Sequence, residues 1–370
     1  EVLWLLEEPE AAALAYACDQ DRDQTILVYD LGGGTFDVSI LTVESSKDER
    51  AKFKVLAKAG VPKLGGDDFD WKIMEMAAAR LAEEGGIDLL DLKKDQGISV
   101  KSLREAQQKL KNAAEEVKRE LTEAQTAQLT IPNIIKDESG NLHSIDTTIT
   151  RVDFNDAIRD LILQTKETVE TALAEAKLTI EDISRIILVG GSTKVPLVKE
   201  MLTEMIGKEP YSDLDPDTVV ARGAAIKGAS MNVPDPEIAA EQEKYEGAIE
   251  ISDIVTHFLG IETVGGKFNC LIEKGTAIPP DAPLAANKEF VTPRDNMSEL
   301  AIRAYQSDRE TEFVGVEGVE CIGEFFLTGI PPKPRGQESV SVTFEIDQQN
   351  LLKIKAVSST STGDLDIQRG

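Results

Sequence analysis

The octet DLGGGTFD, Asp30 to Asp37, constrains this chain more than any other stretch. Glycine lacks a Cβ, so three in succession, Gly32, Gly33 and Gly34, let backbone N–H groups approach an anion closely, and such a nest suits a phosphate. The flanking runs TILVY (Thr25 to Tyr29) and VSILTV (Val38 to Val43) read as strands, which places the glycines in a tight turn at a sheet end. Asp30 and Asp37 would repel a bare phosphate. They become intelligible if Mg²⁺ lies between, the carboxylates acting through metal, water or an alkali ion while the Thr35 hydroxyl reaches a phosphate oxygen. By itself, GGG fits a ligand-free glycine hairpin equally well.

A second glycine turn follows another buried strand: Arg185 to Val189 (RIILV) runs into Gly190-Gly191-Ser192-Thr193, and a helical pattern returns from Leu197. Two such turns at strand ends of one α/β region predict a shared cleft. Between them lie three helices. Asp67 is a candidate N-cap for the first, with Phe69, Ile73, Ala77 and Leu81 on one buried face. Lys101 to Leu121 is the second, with Leu103, Ala106, Leu110, Ala113, Val117 and Leu121 on one side and Glu115, Lys118, Arg119 and Thr122 as a stripe opposite. That stripe also fits a solvated face carrying helical ion pairs. Phe154, Ile158, Leu161, Ile162, Val169 and Leu173 mark the third.

After residue 253 the pattern changes. Val340, Val342, Phe344 and Ile346 alternate with polar residues, and Leu352, Ile354 and Ala356 do so again, which predicts β structure with one wet face. Several strands at short spacing indicate a β-sandwich following the α/β region. With 370 residues, the chain is long enough for two or three domains. The formal net charge of -27 opposes affinity for nucleic acid or an anionic membrane. Three widely separated cysteines, Cys18, Cys270 and Cys321, provide neither a disulfide framework nor zinc spacing, and point to a reducing, cytoplasmic setting.

These motifs together resemble the 70-kDa heat-shock chaperone family, relatives of actin and the sugar kinases. DLGGGTFD is similar to the family's second phosphate loop, EEPEAAALAYA (Glu7 to Ala17) to its crossing helix, and LGGDDFD (Leu64 to Asp70) to its next glycine turn. LVGGSTKVP (Leu188 to Pro196) resembles its adenosine turn, LDPDTVVARGAA (Leu214 to Ala225) its closing ATPase motif, and LGIETVGG (Leu259 to Gly266), PPKPRG and VTFEID its substrate domain. The resemblance implies an actin-like (ribonuclease-H-like) ATPase lobe followed by an all-β sandwich. Residues 1–20 would be a remnant of the first lobe with the crossing helix, and 21–232 the second lobe, with an adenosine-side subdomain inserted at 67–149. An acidic linker would span 233–253 and a peptide-binding sandwich 254–370.

Carried across by position, Glu8, Asp30 and Asp37 are similar to the family's carboxylates around Mg²⁺, the attacking water and K⁺, with Thr35 at the γ-phosphate. ATP or ADP would be held by Gly32 to Gly34, by Gly65, Gly66 and Asp67, and by the stripe Glu115, Lys118, Arg119 and Thr122. Gly190, Gly191, Ser192, Lys194 and Asp217 would complete the nucleotide contacts. The peptide pocket would be Ile261, Thr263, Val264, Phe290, Val291, Pro293, Leu300, Ile302 and Leu351, with Met297 at its rim, although periodicity alone reads most of these as ordinary core. The family binds exposed hydrophobic segments of unfolded protein and works with J-domain proteins and nucleotide exchange factors.

Some features depart from the family's pattern. Nothing before Glu1 supplies its first lobe, with another phosphate loop and a catalytic lysine, so the resemblance implies a fragment with half a cleft and ATP turnover near background. Lys194 stands where an arginine is usual, and an ammonium stacks less well on a base. Ile249-Glu250-Ile251-Ser252 interrupts a linker that is strongly apolar in the family, Asn350 replaces a turn glycine, and the helical lid is absent after the sandwich, which implies fast peptide exchange. An ATP-driven chaperone is the first expectation, and a nucleotide-sensing or passive peptide holdase without coupled hydrolysis is the alternative.

Overall fold

The glycine octet joins two strands, as its flanks predict: β1 (Gln24–Leu31) and β2 (Phe36–Glu44), both almost wholly buried. With β3 (Ala51–Val61), β6 (Arg185–Val189) and β7 (Ile249–Ser252) they form a five-stranded sheet in the order β6-β1-β2-β3-β7. This computed structural model describes residues 4–17, 23–44, 51–207, 209–211, 214–231 and 249–368. Cys18 and positions 233–248 of the expected linker lie outside the described residues. The chain divides into two compact units, Leu27–Ser39 with Ala59–Ala221, and Glu1–Ile26 with Ile40–Lys58 and Arg222–Gly370.

The first of these units holds the glycine turns. Its helix α2 (Gly66–Gly85) buries Phe69, Ile73, Ala77 and Leu81 as their spacing predicts. Asp67, however, is not the N-cap. Gly65 takes that place, extended at φ -170°, and its N–H donates to Asp68 Oδ2 at 2.8 Å, so Asp67 falls inside the first turn. The helix ends at Gly86, whose left-handed backbone (φ 69°) suits a residue without a Cβ.

Helix α3 (Val100–Glu123) is capped by Ser99, whose hydroxyl accepts from Ser102 N. It buries Leu103, Ala106, Leu110, Ala114, Val117 and Leu121. Ala114 therefore replaces Ala113 on the inner face, and Lys118 flanks that face instead of opposing it. Each of its fully buried leucines contributes roughly 1.5–3 kcal/mol through removal from water. Strands β4 (Thr126–Lys136) and β5 (Leu142–Thr150) pair antiparallel as a two-stranded sheet. Helix α4 (Arg151–Ala176) buries Phe154, Ile158, Ile162, Val169 and Leu173, and Tyr29 of β1 donates its hydroxyl to Thr165 of α4 at 2.6 Å. Helix α5 (Pro196–Ile206) follows the second glycine turn, with proline in its first turn where no N–H is needed.

In the other unit, helices α1 (Glu8–Ala17) and α6 (Val219–Ser230) approach so closely that a Cβ on Gly223 would lie 1.8 Å from the Ala11 carbonyl. Strands β8 (Phe258–Thr263), β9 (Lys267–Ile272), β11 (Glu299–Ser307) and β12 (Val319–Thr328) form one sheet, ordered β12-β11-β8-β9. Strands β10 (Leu284–Val291), β13 (Ser339–Ile346), β14 (Leu351–Val357) and β15 (Thr362–Gln368) form another, ordered β10-β13-β14-β15. Val340, Val342, Phe344 and Ile346 are fully buried, and they share one apolar cluster with Leu259, Ile261, Ile302 and Leu327 of the first sheet. Alternation on β13 and β14 thus places every second residue in a common core.

Candidate functional site

Three glycine turns meet within the first unit. The octet turn closes on itself through Gly32 N to Thr35 O at 3.2 Å. Gly66 N then donates to Gly32 O at 2.9 Å and Asp67 N to Gly33 O at 2.7 Å, so the start of α2 is stitched to the octet by backbone alone. From the second turn, the Ser192 hydroxyl donates to the same Gly32 carbonyl at 2.8 Å. The shared cleft expected from the two strand-end turns is therefore a direct contact between them.

The spacing requires glycine at particular places. A Cβ on Gly65 would sit 2.5 Å from the Gly33 backbone, and one on Gly190 would sit 2.4 Å from the Leu31 carbonyl. Gly190 also has φ +83°, which an L side chain rarely tolerates. By contrast, Gly33 and Gly34 have nothing within 4 Å of where a Cβ would be. These two glycines and Thr35 are exposed, so the tip of the octet presents open backbone while its base is tightly held.

Charged groups surround this junction. Asp30 is buried at the end of β1, and Asp37 lies on β2 with Gly60 packed against its carboxylate. Lys118 reaches from α3 to donate to Gly66 O at 3.0 Å and to pair with Asp70 Oδ1 at 2.7 Å. Asp70, 2% exposed, was missed by the motif reading, where it is only the last acid of LGGDDFD. Burial raises its carboxyl pKa, against the bond from Lys118. Asp67 pairs with Lys111 at 2.9 Å, and Lys194 with Asp217 at 2.6 Å, a bond that raises the lysine's pKa. Gly191 faces Asp217, where a Cβ would lie 3.5 Å from its Oδ1.

The stripe on α3 behaves unevenly. Lys118 joins the glycine junction, Arg119 pairs with Glu115 at 2.5 Å along the helix, and the Thr122 hydroxyl donates back to Arg119 O. Glu8 belongs to the other unit, exposed in the first turn of α1. Of the residues expected to line a peptide pocket, Ile261 and Ile302 are buried in the two-sheet core, with Phe290 and Leu300 packed against it. Val264 and Val291 are exposed at 67% and 58%, and Thr263, Pro293, Met297 and Leu351 are half-buried.

The arrangement provides backbone donors and an adjacent ammonium at the end of a sheet, with carboxylates close by, which is chemistry suited to a phosphate carried with a cation. Among the described residues, no helix is long and apolar enough to cross a membrane. A family model described as "Hsp70 protein" matches residues 1–368. The chain is also similar to the "Chaperone protein DnaK" of Halobacterium salinarum (strain ATCC 29341 / DSM 671 / R1), 40% identical over 352 residues. That alignment covers 95% of this chain and 50% of the relative, so the chain spans about half the length of the curated protein it matches. With a family model and a relative agreeing over nearly all of its length, the chain belongs to the Hsp70 family.

Proposed function

We propose that this chain carries one side of an ATP site and the peptide-binding region of an ATP-driven chaperone of the Hsp70 type. On this reading residues 21–232 are the second lobe of an actin-like ATPase, residues 254–370 with their two β-sheets are a β-sandwich, and residues 233–253 link them. The single observation carrying the nucleotide assignment is the junction itself: a base held by Gly65, Gly190 and Ser192, and an exposed tip, Gly33 to Thr35, where a Cβ on Gly33 or Gly34 would meet no other group.

The exposed tip fits a phosphate, because glycines without a Cβ let backbone N–H groups approach an anion closely. Asp30 and Asp37 fit a cation carried with that phosphate, which when bound supplies charge neutralisation between carboxylates and phosphate oxygens. In this scheme Gly33 and Gly34 would hold the phosphates through their backbone, Thr35 would offer its hydroxyl to them, and Asp30, buried near the strand end, and Asp37 would hold the cation directly or through water. Lys118 holds the Gly66 carbonyl in place, and Lys194, paired with Asp217, would lie at the adenosine end of the site. Positioning and preorganised charge, not covalent chemistry, carry such a reaction.

For the second region, Val264 and Val291 present apolar surface next to strands whose inner faces are already filled, as a peptide-binding rim would. Unfolded polypeptides are the proposed partner, taken up as an added strand, with J-domain proteins and exchange factors as co-chaperones. The deciding experiment titrates fluorescent ADP into the 370-residue chain with and without Mg²⁺. Saturable, Mg²⁺-dependent binding that Lys118→Ala and Gly34→Ala both weaken supports the reading; binding indifferent to both substitutions defeats it.

A further inference from the structure

Helix α3 carries the stripe proposed to meet the nucleotide, and the last turn of that helix is poorly provided for by its own sequence. The dipole of a 24-residue helix leaves negative partial charge on its final carbonyls, where a cation is favourable and an anion is not. Yet this turn holds no basic residue, and Glu120 and Glu123 stand in it. Of its carbonyls, Glu120 O accepts from Ala124 N at 2.8 Å. Leu121 O is taken from outside the helix, by Arg151 Nε, which donates to it at 2.8 Å.

Arg151 is the first residue of α4, 30 positions further along the chain. Its backbone N–H donates to Gln125 O at 2.8 Å, which joins the two helix ends where β4 begins and β5 stops. For α4 itself a cation here has the wrong sign, because a helix start carries positive partial charge and favours acids such as Asp153 in the same turn. The guanidinium therefore serves the neighbouring helix and not its own. Its Nη2 is buried and meets no acceptor among the described residues. An unmatched buried donor disfavours an arginine at this place, and the Leu121 bond with the charge at the end of α3 offsets that.

We propose that Arg151 is a positioning residue of the nucleotide site, fastening the last turn of α3 so that Arg119 and Thr122 are held where the nucleoside end of ATP or ADP would meet them. The proposal rests on the nucleotide reading above. Thr122 follows Leu121 directly, and its hydroxyl donates to Arg119 O at 2.7 Å, so fraying of this turn disturbs both residues. Lys118, one turn earlier, is fixed separately by Gly66 O and Asp70. The end of the stripe thus depends on Arg151 while its phosphate side does not.

The test combines titration of fluorescent ADP in the presence of Mg²⁺ with hydrogen exchange, both on the full chain. Arg151→Met keeps the apolar stem but removes the bond and the charge. It should weaken ADP about tenfold and speed exchange of the 122–124 amides about tenfold, the order of one hydrogen bond from a charged group. Arg151→Lys retains a cation without the guanidinium fork and should recover about threefold of each loss. Arg159→Met, exposed on α4 and paired with Asp156, should change neither. Amides of β1, β2 and the start of α3 serve as the internal reference. Failure of the lysine to restore any of the loss overturns the assignment, and so does loss of protection that spreads to the reference amides, since the arginine would then only support the unit. A parent chain that binds no ADP defeats the nucleotide reading and this assignment with it, whereas parent binding that Arg151→Met leaves intact defeats the assignment alone.

Discussion

Gly190→Ala tests the convergence of the glycine turns most sharply. The new methyl group would start 2.4 Å from the Leu31 carbonyl and 2.7 Å from its carbon, where contacts below 3.0 Å are essentially never seen. It would also force a side chain onto a backbone at φ +83° and ψ 145°, a region that costs a non-glycine residue about 1–3 kcal/mol. Overpacking against a fixed carbonyl adds about 1–3 kcal/mol. Together the substitution should lose on the order of 2–6 kcal/mol, measured by equilibrium urea unfolding with a probe in the Leu27–Ser39 and Ala59–Ala221 unit. Gly34→Ala is the paired control. Nothing lies within 4 Å of its Cβ position, so its unfolding midpoint should move by less than about 0.5 kcal/mol, while Mg-ADP affinity drops about tenfold because the methyl enters the open tip. A Gly190→Ala chain as stable as the parent would refute the close-approach argument. A Gly34→Ala chain that binds nucleotide normally would instead remove the phosphate from the tip.

Other consequences can be measured separately. Lys118→Met strips the ion-pair partner of Asp70, which is 3% exposed at its side chain, and should cost about 3–5 kcal/mol in urea, with Asp70→Asn in that background recovering part of the loss. Tyr29→Phe removes the hydroxyl bond to Thr165 and should cost about 1 kcal/mol, since Thr165 still donates to Ile162 O. Glu338, bonded to Lys333 and Ser359, has its carboxyl held down at about 2 by the Lys333 bond first, below the ordinary 4.5. A depressed carboxylate stabilises the fold above its ordinary pKa and loses that contribution as pH falls from 4.5 towards 2. Acid melts of Glu338→Gln should therefore show a weaker pH dependence than the parent in that window, and identical slopes would contradict the assignment.

The sequence made local features legible and left long-range ones hidden. The face of α3 could be read because 24 helical residues repeat one pattern, and the slip from Ala113 to Ala114 reflects how a 3.6-residue period drifts between adjacent small residues. Asp67 was misplaced as a cap because a Ser, Thr, Asp or Asn rule overlooks a glycine whose N–H is taken by Asp68. The glycine turns were visible as turns, yet the bonds joining residues 32, 66 and 192 depend on strand order, which no local window contains. Arg151 was invisible altogether. In its own run, TTITRVDF, it looks like one more helix-start residue, and only the fold brings the end of α3 to it.

Strand β7 has an effect on solubility. It ends the sheet order beside β3, so whenever it leaves, residues 51–54 of β3 become an edge with unpaired N–H and C=O groups. Long bare edges invite strand addition from another chain and thus aggregation. Phe53 and Val55 are buried while Lys52 and Lys54, alternating with them, stand exposed, so the stretch that would be uncovered already carries a pair of like charges along it. Edge lysines are a recognised guard against such pairing, and here they sit opposite Glu250 and Ser252, the very residues whose departure would call on them.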